Sequence, residues 1–293
     1  MYNKITKCPL CRSKDIRNLI ICKDHLVSGE SFAINECLTC TFKFTNPRPE
    51  NEELHKYYKS DHYISHTNKA NSIRHILYKT VRNYTLKNKL KLINSLSKKG
   101  SILDVGCGTG EFLKTCSDSN WNILGVEPDS KARLKAEQLL GIKLIDSLFD
   151  LDDENKYQII TLWHVLEHLP ELHKTIKHLK KLLSKQGRLV FALPNVDSYD
   201  SRKYKEHWAA YDVPRHLYHF NQITFKKLMK IHNLRVKSIY PMKFDSYYVS
   251  LLSESYKNKY FNYTKAFLSG WKSNSYGRKN NDNYSSLIYI VKK

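Results

Sequence analysis

The chain has 293 residues, of which 49 are Lys or Arg and 28 are Asp or Glu, for a net charge of +21. That length suits one large domain plus a small accessory unit, with ample room for a core. No run of about 18 apolar residues occurs, which excludes a helical membrane span. The start, Met1-Tyr-Asn-Lys-Ile-Thr-Lys-Cys8, lacks the layout of a secretory signal, so the expected compartment is cytoplasmic. The positive excess is mostly lysine, spread along the chain beside abundant Asn, Ile and Tyr. Diffuse surface charge accounts for this better than a dedicated polyanion site, so nucleic acid is the less favoured partner.

In chain order, the first signal is cysteine. Cys8-Pro-Leu-Cys11 and Cys37-Leu-Thr-Cys40 place two C-x2-C pairs 25 residues apart. Thiolate pairs at this spacing can wrap one tetrahedral zinc, and a cytosolic setting argues against structural disulfides. Too few apolar residues lie between the pairs for the segment to fold alone, so the ion would supply the missing stability. Such a closed site is structural; a redox pair or unrelated cysteines are the alternatives. Cys22 could replace a ligand, whereas Cys107 and Cys116 are expected to pack. Residues 1–48 are therefore read as a zinc ribbon, closed by Phe42-Lys-Phe-Thr-Asn-Pro-Arg-Pro49, where two prolines bar a helix.

Residues 49–99 read as a helical linker or cap. A polar helix is expected over 50–59, a loop over 63–68 and an amphipathic helix over 69–97, with Ile73, Ile76, Leu77, Val81, Tyr84, Leu90 and Ile93 near helical spacing.

From residue 101 strands and helices alternate. Strands are expected at 101–105, 122–127, 142–145, 157–163, 187–193, 234–240 and 285–291, and helices near 110–119, 129–140, 171–185 and 221–232. This pattern predicts an α/β fold with a mostly parallel sheet. The first strand runs into Asp104-Val-Gly106-Cys-Gly108-Thr-Gly110-Glu111, where glycine lets the backbone approach a ligand. Glu127, 21 residues after Gly106, ends the second strand, where a doubly wound sheet presents an acid to ribose hydroxyls. A pyrophosphate docked on this helix would meet Glu111 where it needs positive potential. Asp104 and Glu111 therefore suit S-adenosylmethionine, which carries an ammonium and a sulfonium but no phosphate. Asp146 could accept from the adenine amine or be a solvated turn residue. Trp163 and His164, at the carboxyl end of the fourth strand, are expected cofactor contacts. Glu167 and His168 read as a structural pair.

The densest cluster is His207-Trp-Ala-Ala-Tyr-Asp-Val-Pro-Arg-His-Leu-Tyr-His-Phe220. Ionisable and aromatic groups this concentrated off regular structure read as a binding surface. His216 is the preferred base or acceptor-orienting residue, followed by Asp212 and Tyr211; a buried network of Asp212, Arg215 and His216 is the alternative. Segments 196–220 and 241–283, the latter long and irregular, are expected as substrate-side insertions of a domain spanning 100–293.

These motifs together resemble bacterial class I S-adenosylmethionine-dependent methyltransferases with an N-terminal zinc ribbon. The resemblance rests on the two C-x2-C pairs, Thr45-Asn-Pro-Arg-Pro49, the glycine loop, Trp163-His-Val-Leu-Glu-His168 and Tyr211-Asp-Val-Pro-Arg-His216. It implies a seven-stranded Rossmann-like sheet whose last strand is antiparallel. Asp104, Gly106, Gly108, Gly110, Glu127, Asp146, Trp163 and His164 would hold the cofactor, and Cys8, Cys11, Cys37 and Cys40 the zinc. The Asn/Asp-Pro-Pro-aromatic motif of base N-methylation is replaced by Trp163-His-Val-Leu166. Sugar C-methyltransferases with a similar ribbon resemble longer chains, which argues against a nucleotide sugar. A small-molecule, sugar or lipid-linked acceptor is expected. The alternatives are an RNA methyltransferase that uses ribbon and basic surface, or a non-catalytic cofactor-binding scaffold. The sequence leaves the oligomeric state open.

Overall fold

The computed structural model describes residues 2–58, 73–152 and 154–293, with side chains of the helix that starts at Ile73 described from residue 81 on. The loop expected over 63–68 and the side chains of Ile73, Ile76 and Leu77 lie outside the described residues. Among the described residues no helix is long and apolar enough to cross a membrane.

Strand β1 (Tyr2–Asn3) pairs antiparallel with β5 (Arg48–Pro49). Strands β2 (Ile16–Lys23), β3 (Ser31–Cys37) and β4 (Lys43–Thr45) form an antiparallel ribbon. A fourth strand joins this ribbon from far along the chain: β10 (Tyr218–His219) pairs with β4, Tyr218 opposite Phe44 and His219 opposite Lys43. The ribbon is thereby built into the rest of the molecule. Phe42, Phe44, Leu217, Tyr218 and Phe220 share one buried cluster with the central sheet residues Phe191 and Leu193. The polar helix expected over 50–59 is a single 3-10 turn, Leu54–Tyr58.

The central sheet has six strands in the order β11-β12-β9-β8-β6-β7. They are β6 (Ser101–Val105), β7 (Asn122–Val126), β8 (Tyr157–Trp163), β9 (Leu183–Pro194), β11 (Arg235–Pro241) and β12 (Ser286–Lys292). Strands β9, β8, β6 and β7 run parallel, and β12 is antiparallel to both β9 and β11. The expected seventh strand, 142–145, is reduced to one bridge, Val126 with Ile145. The segment leaves the Gly141 cap of the preceding helix, and the outward amide of Leu144 is capped by Glu137 at 3.0 Å. Only Ile145 therefore reaches the ladder before the chain turns at Ser147.

Helices α1 (Ile73–Leu96), α2 (Glu111–Ser117), α3 (Ser130–Leu140), α4 (Leu172–Leu182), α5 (Tyr199–Tyr204) and α6 (Gln222–Ile231) join the strands. Their ends follow local chemistry. The Asp129 side chain accepts from Ala132 N at 2.8 Å, Gly141 closes α3 in the left-handed region, and Asn221 and Thr224 form a reciprocal capping box on α6. In α1, Ile93 is fully buried and Leu90 packs beside it, whereas Tyr84 is exposed and meets Phe244 edge-on.

The stretch after β11, expected to be irregular, is a helical hairpin of α7 (Asp245–Asn258) and α8 (Tyr263–Lys279). Its inner face is small: Ser246, Ser250, Ser253, Ser269 and Ser273 are almost fully buried, and a Cβ on Gly270 would stand 2.6 Å from Tyr247. Small residues let the two backbones approach closely. Aromatic content here had obscured that stripe.

Candidate active site

At the carboxyl end of β6 the chain turns through Gly106, Gly108 and Gly110, with φ of +69°, +57° and +85°. A Cβ on Gly106 would stand 2.5 Å from Val165 Cγ2, and one on Gly110 3.0 Å from Ala136 Cβ. Protein packing thus requires both. A Cβ on Gly108 would have nothing within 4 Å, so this glycine fronts open space. Its amide donates to Glu127 Oε2 at 2.8 Å, and Asp129 N donates to Oε1 at 2.9 Å. Burial raises the Glu127 pKa against these two hydrogen bonds. Asp146, exposed, lies one residue beyond Ile145, whose carbonyl accepts from Glu127 N. Glu111 is held by Arg82 of α1 at 3.2 Å and by the Thr109 hydroxyl at 2.6 Å.

Asp104 lies directly beneath the loop, only 2% exposed, and accepts from Thr161 Oγ1 at 2.5 Å. Burial pushes its pKa up to about 7, although the Thr161 hydrogen bond and Lys89 oppose the rise. Trp163 meets Phe112 edge-on at 5.4 Å, and its buried indole Nε1 has no hydrogen-bond partner. Above the Trp163 ring, at 4.2 Å, sits Lys89 Nζ from α1. Burial lowers the Lys89 pKa, opposed by the charges of Asp104 and Asp245.

A second group of ionisable side chains begins one residue further along. His164 adopts a left-handed φ of +58°. Its Nε2 lies 3.1 Å from Asp245 Oδ2 and its Nδ1 3.5 Å from Glu167 Oε1. Burial alone would lower its pKa, but Asp245 and Glu167 outweigh burial and raise it to about 9. Glu167 is 1% exposed, and among the described residues neither of its carboxylate oxygens has a hydrogen-bond partner. Beside it, His216 Nε2 lies 4.0 Å from Glu167 Oε1 and 3.9 Å from Asp212 Oδ2, and the His168 and His216 rings meet edge-on at 4.5 Å. Burial and the neighbouring His216 push His168 down to about 4.

The 207–220 segment is not a surface loop. Trp208, Tyr211, Val213, Arg215, His216 and every residue from Leu217 to Phe220 are buried between ribbon and sheet. Arg215 is the pin. Its guanidinium donates to Asp212 Oδ1 at 2.7 Å, to Asp24 Oδ1 at 2.9 Å and to Tyr57 O at 2.9 Å, with Arg215 and Asp24 almost wholly enclosed. Arg215 and Asp212 thus form a buried network that holds the loop, and His216 sits at its edge. Tyr211 is not brought to His216. Its ring packs edge-on against Trp208 and His219, and burial pushes its hydroxyl up to about 12. Trp208 Nε1, Ser273 Oγ and Ser285 Oγ all donate to the fully buried Asp200, tying the segment to α8 and β12.

The four ribbon cysteines converge, with their sulfurs within 4.8 Å of one another. The Cys8–Cys40 and Cys11–Cys37 sulfur separations of 3.6 and 3.5 Å exceed the disulfide length of about 2.05 Å. The cluster is compatible with one tetrahedral ion. Cys22 lies apart with Phe32 and Ile34, and Cys107 and Cys116 are buried in apolar clusters.

Three positions drew no attention in the sequence or were read only as structural. Lys89 is one lysine among many on a helix, and Asp245 opens a helix in a stretch expected to be irregular. Glu167 read as half of a structural pair with His168. The one signal present was the local density of His and acidic residues in 163–168.

The profile of a methyltransferase-domain family matches residues 75–239, which is more than half of the chain. The chain belongs to the methyltransferase-domain family. An uncharacterized methyltransferase of Alkaliphilus oremlandii is 26% identical over 112 residues, 37% of this chain and 50% of its own length. A ubiquinone biosynthesis O-methyltransferase of Aliivibrio fischeri is 30% identical over 128 residues, 40% of this chain and 52% of its own. The chain spans about half the length of the curated relatives it matches. Among solved structures, magnesium protoporphyrin IX methyltransferase from Synechocystis with bound SAH superposes with a TM-score of 0.53 at 13% identity, covering 83% of this chain and all of that one. A SAM-dependent methyltransferase from Archaeoglobus fulgidus gives 0.50 at 19% identity, covering 76% and 100%. At these identities the likeness concerns the fold, a Rossmann-like methyltransferase α/β fold.

Proposed function

We propose that this protein transfers a methyl group from S-adenosylmethionine to a small-molecule acceptor. The observation that carries the proposal is the cradle at Gly108: a left-handed glycine facing open space, with the buried carboxylate of Glu127 on its amide. Such a cradle admits a ligand backbone-close, and Glu127 offers oxygen acceptors to ribose hydroxyls. Asp104 supplies negative charge without a competing phosphate-binding donor from the loop, and Lys89 shows that this corner tolerates a cation. Gly106, Gly108, Gly110 and Glu127 would hold the nucleoside end, Asp146 the adenine amine, and Asp104, Trp163 and His164 the charged end. The bound cofactor would supply an activated methyl group on sulfonium.

The protein's own task is orientation, worth several kcal/mol when the reacting atoms are aligned. His164 leads directly from the cofactor corner to Glu167, and Glu167 to His216 and Asp212, so the acceptor is assigned to that junction at the strand ends. His216 Nε2 would orient the acceptor's nucleophilic atom, with Asp212 held beside it by Arg215. Tyr211 is assigned to packing. Residues 1–48 are assigned as a structural zinc ribbon, 49–99 as a cap and 100–293 as the transfer domain.

Calorimetry tests this most directly. Metal-loaded wild type is expected to bind S-adenosylmethionine in the micromolar range, and Glu127→Ala to lose it. Absence of binding to well-folded wild type would overturn the proposal.

A further inference from the structure

The group at Glu167, His168 and His216 has a property that acid–base chemistry alone leaves unexplained. Burying a carboxylate costs several kcal/mol unless its oxygens are paired. Glu167 is 1% exposed, yet among the described residues neither oxygen accepts a hydrogen bond, and ring nitrogens of His164 and His216 stand 3.5 and 4.0 Å away. The two histidines facing it are turned in the same way. His216 Nδ1 lies 2.9 Å from Ala210 O, and His168 Nδ1 lies 3.1 Å from Arg215 O and 3.0 Å from the Tyr58 hydroxyl. A carbonyl oxygen can only accept, so Nδ1 carries a hydrogen in both rings and Nε2 is the nitrogen left for another partner. An imidazole anchored through Nδ1–H on a backbone carbonyl, with Nε2 left to ligate, has the orientation that metal-binding histidines adopt, and His216 Nε2 lies 4.0 Å from Glu167.

We propose that Glu167, His168 and His216 form a second metal site, distinct from the ribbon cysteines, for a borderline divalent cation such as Zn2+. One donor atom from each of the three lies within 4.8 Å of the others. Zinc holds such donors at about 2.1 Å, so an ion between them draws each inward by less than about an ångström. Two imidazoles and one carboxylate suit zinc or iron(II) and do not suit magnesium or calcium, which require more oxygen. Asp212 stays outside the ligand set because Arg215 holds both its oxygens. Three protein ligands leave a coordination position open, which an acceptor oxygen could occupy. This deepens the proposed function: His216 would orient the acceptor through the ion.

The test is metal stoichiometry of the full-length protein after loading with zinc and gel filtration, alongside cobalt(II) spectra. Wild type is expected to hold two ions per chain. Glu167→Gln, His168→Ala and His216→Ala are each expected to hold one, with the thiolate-to-cobalt band of the cysteine site retained as proof of folding. One ion in wild type, or two in all three folded variants, would overturn the second site. Calorimetry with S-adenosylmethionine on the same samples separates the two proposals. Cofactor binding by a one-ion wild type sinks only the metal site, and two ions without cofactor binding sink only the methyl-transfer function.

Discussion

At the residue scale, the three loop glycines look alike in sequence but serve different ends. Gly106 and Gly110 are fixed by neighbours a Cβ would strike, whereas at Gly108 nothing of the protein stands in the way. Gly108→Ala is therefore expected to fold, paying only left-handed strain of about 1–2 kcal/mol, while losing at least tenfold in S-adenosylmethionine affinity. Gly106→Ala is expected to lower the melting temperature much further, because Val165 must move. Thermal denaturation and calorimetry on both variants check this. Asp104 adds a pH dependence. Burial raises its pKa to about 7 in the free protein, so a bound cation must expel a proton to gain a charged partner. Cofactor affinity is expected to rise between pH 6 and 8 by about tenfold in all, as the ionised fraction of one group with a pKa of about 7 goes from about a tenth to about nine-tenths. Calorimetry in buffers of different ionisation heat would count the proton released; a flat profile would remove Asp104 from the site.

At the element scale, the decisive contact joins the ribbon to the 207–220 segment. Strand β10 hydrogen-bonds into the ribbon, Thr45 Oγ1 donates to His216 O at 2.7 Å, and Arg215 bridges Asp212 to Asp24 across 191 positions of sequence. Removing one partner from such a buried ion pair leaves an uncompensated charge. Arg215→Ala is expected to cost about 3–5 kcal/mol in chemical denaturation, whereas a surface change such as Arg17→Ala, whose guanidinium is more than half exposed, should cost less than about 1 kcal/mol. The sequence located this cluster as dense in chemistry but misjudged it as surface, because local composition cannot distinguish an exposed loop from one that becomes a strand of a distant sheet. The helical hairpin of α7 and α8 was missed for a related reason: its buried face is made of serine and glycine, which carry no hydrophobic period.

At the scale of the whole molecule, the glycine turn, the acid that ends the second strand and the strand–helix alternation could be read along the chain because each is a local requirement. A turn with positive φ demands glycine, a buried strand demands a continuous apolar run such as Leu189 to Leu193, and a helix start demands a cap such as Asp129. Those demands determined the α/β class, the order of the central elements and the position of the glycine turn where the cofactor is proposed to sit. The paired cysteines likewise announced themselves by spacing alone. What only the tertiary structure decided is which side chains meet across distance. Whether residues 142–145 extend the sheet, that Lys89 reaches Trp163, that Arg215 closes on Asp24, and that Glu167 faces two histidines with no hydrogen bond of its own all depend on packing between segments. No local propensity encodes those meetings, because the energy that enforces them comes from burial shared among residues far apart in sequence.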